Sequence, residues 1–152
     1  MDKYIKLRKF ISETMRKYLT ETLKYKLEDN YIYYFINEDK IGYIEYYYDG
    51  LNHSENLENE KEFYISMIEV YKSFRANDYS KEMLNHIKDF AKQKGATIIT
   101  LRVDYGMGDI SKREPGFGLE KLYLRNGFKY LYTKEECELD DTKNLGAMYF
   151  KI

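Results

Sequence analysis

FYISMIEVYKSFRANDYSKEMLNHIKDFAKQKG, residues 63–95, is the stretch that decides the fold. Phe63 to Val70 are mostly β-branched, aromatic or otherwise apolar and read as a strand. By alternation Ile65 and Met67 fall on one face and Ile68 and Val70 on the other. Both faces are then apolar, and such a strand is expected at the centre of a sheet, covered on both sides. Tyr71 to Asp78 form a short link. Beyond it Met83, Leu84, Ile87, Phe90 and Ala91 recur at helical spacing, with Lys81, Glu82, Lys88, Asp89 and Lys92 on the opposite face. Gly95 stands where a helix C-cap belongs. A central strand feeding a helix through a tight link aims backbone N–H groups at an anionic ligand.

Toward the C-terminus, Thr97 to Val103 alternate and read as the next strand. The helix between the two strands makes a β-α-β crossover, which requires parallel pairing. Residues 104–117 contain Gly106, Gly108, Pro115 and Gly116 and are irregular. Leu119, Leu122 and Tyr123 share a face of a short helix that Asn126-Gly127 ends. Phe128 to Tyr132 and Ala147 to Ile152 are strands joined by an acidic loop. Toward the N-terminus, residues 49–62 read as a polar surface loop with His53 exposed in it. Tyr31–Ile36 and Ile41–Tyr48 are strands around a hairpin turn, Asn37 to Lys40. Residues 3–26 read as one long amphipathic helix with a stripe that runs from Leu7 to Leu23. The expectation is a single domain over 1–152, without internal repeat or linker.

A net charge of -1 argues against nucleic acid and an anionic membrane surface as partners. No apolar run approaches the ~20 residues of a membrane helix, and the N-terminus lacks the apolar core of a signal peptide. The single Cys137 rules out an intramolecular disulfide and suits a reducing, cytoplasmic setting. Histidine and cysteine are too few for a Cys/His zinc cluster, so no metal is expected. Charge is uneven locally. The first 26 residues are basic but carry interspersed acids, the pattern of a solvated helix face. Residues 134–141 carry Glu135, Glu136, Glu138, Asp140 and Asp141 against Lys134.

Two motifs carry a family resemblance. Ile68-Glu69-Val70 is followed by Phe74-Arg75-Ala76-Asn77-Asp78-Tyr79-Ser80 and then Met83-Leu84; further on comes Leu122-Tyr123-Leu124-Arg125-Asn126-Gly127-Phe128. Over residues 30–132 the chain resembles the GNAT superfamily of acetyl-coenzyme A-dependent N-acetyltransferases. The first motif is similar to that family's Arg/Gln-x-x-Gly-x-Gly/Ala link, the second to its Leu-Tyr pair ahead of Gly-Phe. The implied fold is α/β (α+β): a mixed, mostly antiparallel twisted sheet with helices on both faces. The implied activity is acetyl transfer from acetyl-CoA to an amine acceptor; the alternative is a GNAT-like binding or interaction module without catalysis. A homodimer is compatible with either.

The resemblance also assigns residues. Ile68, Glu69 and Val70, with Arg75, Ala76, Asn77, Asp78, Tyr79, Ser80 and Lys81, would hold the coenzyme. The first three would do so through backbone freed where the Phe63 and Thr97 strands splay apart. Tyr123 corresponds to the acid that protonates the departing thiolate. A phenol with a reference pKa of ~10 can do so without ionising at rest; the other reading is an aromatic on a core face. Glu69 is a candidate water-relayed base or a half-exposed strand residue, and Asp104 a second candidate base. Arg75 would lie near the pyrophosphate or be a surface arginine. Asp78 stands where the family has glycine, and Ser80 where it has glycine or alanine. Asp78 is expected to cap the helix with its side chain, and Asp tolerates left-handed backbone angles. Residues 104–117 are longer than the usual family link, and no opening strand is evident. The acidic run 135–141 would draw a cationic acceptor such as a polyamine, a lysine side chain or an aminoglycoside; the other reading is a solvated charge run.

Overall fold

A computed structural model describes residues 22–54, 57–75, 77–103 and 119–152. Seven strands form one sheet: β1 (Leu23–Glu28), β2 (Tyr31–Ile36), β3 (Asp39–Tyr47), β4 (Glu62–Val70), β5 (Ile98–Arg102), β6 (Lys129–Tyr130) and β7 (Ala147–Lys151), in the order β1-β2-β3-β4-β5-β7-β6. The described helices are α1 (Tyr79–Lys94), α2 (Leu119–Arg125) and α3 (Lys134–Leu139), with one 3-10 turn at Lys72–Phe74. β1 to β4 form an antiparallel meander, β4-α1-β5 is the parallel crossover, and β7 pairs antiparallel with both β5 and β6. This is the expected mixed, mostly antiparallel sheet.

One face of the sheet is dry. Met83, Leu84, Ile87, Phe90 and Ala91 of α1 pack on Ile32, Tyr34, Ile44, Phe63, Ile65 and Ile99. Three rings anchor the packing. Tyr46 stacks on Phe63 at 4.9 Å, and Phe90 stands edge-on to both at 5.4 and 6.1 Å. Such ring pairs add about 0.5–1.5 kcal/mol each beyond their buried area. Gly95 ends α1 in the left-handed region, φ 96°, as expected. Lys88 extends from α1 across the Phe150 ring, 4.2 Å from its centroid, and donates to the Asn126 carbonyl at 2.5 Å, tying α1 to the end of α2.

Several expectations are corrected. The helix read over 3–26 overruns its end: Leu23–Glu28 is a strand fully paired with Ile36–Tyr31. Leu23, Tyr25 and Leu27 alternate with Lys24, Lys26 and Glu28, and that period of two prevails once β2 supplies a partner. The remainder of that helix reading, residues 3–21, lies outside the described residues, as does the 104–117 loop. The β4 faces also differ from simple alternation. The register slips between Glu45 and Tyr46, so Ile65 opposes Tyr46 and Ile68 opposes Ile44. Tyr46 and Ile44 are two apart, so Ile65 and Ile68 share the dry face rather than opposing each other. Met67 points the other way and is 49% exposed, so β4 is not covered on both sides there. The strand read over Phe128–Tyr132 shrinks to Lys129–Tyr130, and the acidic loop contains α3. A capping box starts that helix: Thr133 Oγ1 accepts from Glu136 N–H, and Glu136 accepts from Thr133 N–H, both at 3.1 Å.

Candidate active site

β4 loses a neighbour halfway along. Glu62 to Ile65 pair with Ile98 to Leu101 of β5. Past Ile65, β4 stays with β3, while β5 continues beside β7 through Arg102 and Ala147, and Val103 N–H reaches the Gly146 carbonyl at 2.8 Å. The parallel strands therefore splay after Ile65 and Leu101, as expected. The bulge at Ser66 marks that point, its hydroxyl donating to the Glu45 carbonyl at 3.2 Å. Among the described residues, the β5-facing backbone edge of Ile68, Glu69 and Val70 has no strand partner.

The link to α1 begins at that free edge. Tyr71 N–H donates to the Ile41 carbonyl at 2.8 Å, the Lys72–Phe74 turn follows, and Arg75 Nε donates back to the Val70 carbonyl at 2.8 Å. Arg75 thus clamps the link onto the end of β4. Ala76 lies outside the described residues. Asn77 is half-buried and Asp78 exposed. Asp78 precedes α1 with φ 57° and ψ 17°, and its side chain makes no capping bond. The predicted cap is absent because an accepting cap residue needs extended backbone angles, and Asp78 is left-handed. Glycine adopts that conformation without steric cost. Asp78 therefore performs the backbone turn of a glycine while adding a carboxylate. Tyr79 is buried against Phe74, Ser80 is half-buried and Lys81 is exposed.

The two candidate catalytic residues lie on opposite faces of the split sheet. Tyr123 is 4% exposed and belongs to the buried cluster that contains Ile65, Val70 and Tyr79. Burial pushes its phenol well above the ordinary value, so it stays protonated. Glu69 faces the other way. Tyr43 stands beside it with its pKa raised by burial and then by the Glu69 carboxylate, and Tyr71 lies alongside. Asp104 lies outside the described residues.

Glu69's face also holds a cavity of about 620 Å³. Tyr64 and Thr100, which pair across β4 and β5, line it together with Glu62, Arg102, Tyr47 and Tyr132. These were missed in the sequence because each reads as strand filler, and Glu62 as loop. The available signal was polar residues at alternate positions, 62 and 64 on β4 and 100 and 102 on β5, within otherwise apolar strands. The acidic run behaves differently. Glu136 is engaged by Thr133 and by Lys143 at 3.5 Å, Asp140 accepts from Thr142, and none of the five acids lines the cavity. His53 is exposed, as expected, and pairs with Asp49 at 2.7 Å. No described helix is long and apolar enough to cross a membrane.

The sequence profile of the "Acetyltransferase (GNAT) family" matches residues 4–113, more than half of the chain. The chain belongs to the GNAT acetyltransferase family. The match covers the β4-link-α1 unit and ends before Tyr123. No curated protein matches the sequence of this GNAT chain. Solved structures share its fold. A GNAT-family acetyltransferase from Listeria monocytogenes aligns at 15% identity and TM-score 0.56, covering 81% of this chain; the chain spans 64% of that protein's length. The PaiA N-acetyltransferase of Thermoplasma acidophilum, solved in complex with coenzyme A, aligns at 19% identity and TM-score 0.51 over 95% of this chain and 70% of its own. An IAA acetyltransferase from Bacillus cereus aligns at 14% identity and TM-score 0.53, over 80% and 77%.

Proposed function

We propose that this GNAT protein transfers the acetyl group of acetyl-CoA to a primary amine. The observation that carries the reading is the free backbone edge of β4, from Ile68 to Val70, continuous with a link whose left-handed Asp78 opens α1. Such an edge accepts an extended amide-bearing arm as an added strand, and the start of α1 suits the pyrophosphate. Asn77, Tyr79, Ser80 and Lys81 supply the link's remaining backbone, and Arg75 holds it closed against Val70.

The reaction needs a neutral amine, an approach to the thioester and a proton for the leaving sulfur. The amine nitrogen bonds to the acyl carbon, the carbon–sulfur bond breaks, the amine gives up one proton and the thiolate takes one. Tyr123, protonated on the dry face, is the proton donor to sulfur. Glu69, on the opposite face, receives the amine proton through water. The split between β4 and β5 is where the two faces meet, so donor and acceptor approach from different sides of the sheet. A cytoplasmic, reducing setting suits the single cysteine.

Two measurements test this. Acetyl-CoA at ~100 times its dissociation constant adds ~2.7 kcal/mol to the native state, so it raises Tm where unrelated nucleotides do not. A thiol-release assay with a panel of primary amines shows turnover. Binding without thiol release from any amine would replace the enzyme with the binding module.

A further inference from the structure

The cavity beside the split holds a buried carboxylate with no cation paired to it among the described residues. Glu62 is 4% exposed. Its carboxylate accepts from the His53 N–H at 3.1 Å, the Ser54 hydroxyl at 2.6 Å and the Thr100 hydroxyl at 2.5 Å. All three donors are neutral. Among the described residues, no lysine or arginine forms an ion pair with it. Buried carboxylates are ordinarily paired with a cation or bound to a metal. A metal is poorly served here, because hard cations require several oxygen ligands and no group of three His, Cys, Asp or Glu stands together among the described residues. An alkylammonium needs less. It carries three donors, and one carboxylate with the lone pairs of Ser54 and Thr100 can satisfy them.

Two of the cavity's charged groups, Glu62 and Arg102, are ordered along the strands, while a third, Asp49, is engaged by His53. Glu62 lies three residues before the end of the β4–β5 pairing at Ile65, ~10 Å at ~3.3 Å per residue. Arg102 lines the opposite end, one residue past the last paired position of β5. A guanidinium beside an amine disfavours its ammonium form. The end next to the split therefore favours a neutral, nucleophilic amine, and the closed end favours a charged one. Tyr47, Tyr64 and Tyr132 line the space between with apolar ring surface.

We propose that this cavity is the acceptor site and that its ligand is an aliphatic diamine or polyamine, one amine held charged by Glu62 and the other presented at the split. This deepens the transferase reading and rests on it for the identity of the reacting end; the cation site itself does not.

The experiment is calorimetry of the full chain with α,ω-diaminooctane, whose length suits the span, and with 1,8-octanediol, which has the same length and carries no ammonium. The parent is expected to bind the diamine at least ~30-fold more tightly, the scale of a desolvated charge pair. Glu62→Gln, which keeps the shape and removes the charge, is expected to erase that preference while the acetyl-CoA shift in Tm persists. Equal affinity of the parent for the diamine and the diol overturns the proposal, whether or not the variant folds. So does a folded Glu62→Gln that retains the preference. If the diamine preference stands but acetyl-CoA gives no shift in the parent, the cation site is supported and the transferase reading fails.

Discussion

The first and second halves of β4 are built from similar residues and behave differently. Glu62 to Ile65 have a strand on each side, Phe63 is fully buried, and their alternation separates core from cavity. Ser66 to Val70 have one strand neighbour, a bulge resets their alternation, and Met67 faces out. The first half holds the fold together. The second is a sheet edge created in the middle of a sheet, whose backbone has no strand partner on the β5 side among the described residues. Under the proposed function, the coenzyme surface is chiefly this backbone, and side chains matter there for where they place it.

That contrast can be broken in graded ways. The largest effect is expected at Tyr123. Tyr123→Phe keeps the ring in the core and removes the proton donor, so turnover in the thiol-release assay falls by ~10²–10⁴-fold with acetyl-CoA affinity unchanged. Parent-like turnover would exclude Tyr123 as the acid. Next comes the paired half of β4: Phe63→Ala costs about 3–5 kcal/mol in denaturant unfolding. Met67→Ala in the second half stays within about 0.5 kcal/mol, and similar losses at both would contradict the contrast.

Gly42 sharpens the comparison further. It opposes Val70, and a Cβ there would stand 2.2 Å from the Glu69 carbonyl oxygen. Gly42→Ala must push the free end of β4 aside. We expect a loss of about 1–3 kcal/mol, with weaker acetyl-CoA binding by calorimetry; unchanged affinity would mean that the free edge does not hold the coenzyme. The smallest effect is at Asp78. Asp78→Gly relieves a left-handed non-glycine residue and removes a carboxylate near the expected pyrophosphate. Stability should change by no more than ~1 kcal/mol, and acetyl-CoA should bind several-fold tighter. No gain in affinity would show that the carboxylate does not face the phosphates.

Much of this was legible in residues 63–95, where a strand, a link and an amphipathic helix each follow their own periodicity. The parallel crossover and the Gly95 cap come from the same stretch. What was not legible depended on partners distant in sequence. The bulge at Ser66 exists because β3 and β4 slip by one residue, and nothing local to Ile65 or Ile68 announces it. Leu23–Glu28 satisfies both a helical and an alternating pattern, and β2 decides between them. The conspicuous acids at 135–141 drew attention as a charge run, yet Glu136 and Asp140 are used in local capping and turn bonds. The buried carboxylate, Glu62, is a single residue whose burial becomes visible only when β5 brings Thr100 against it.

Amide hydrogen exchange with and without acetyl-CoA tests the central claim most directly. The account predicts new protection confined to two places: the Ile68 to Val70 edge, which gains a partner, and the Asn77 to Glu82 turn, which gains an anion. The Glu62 to Ile65 amides, already paired, should scarcely change. Binding of acetyl-CoA with no added protection at Ile68 to Val70 would contradict it.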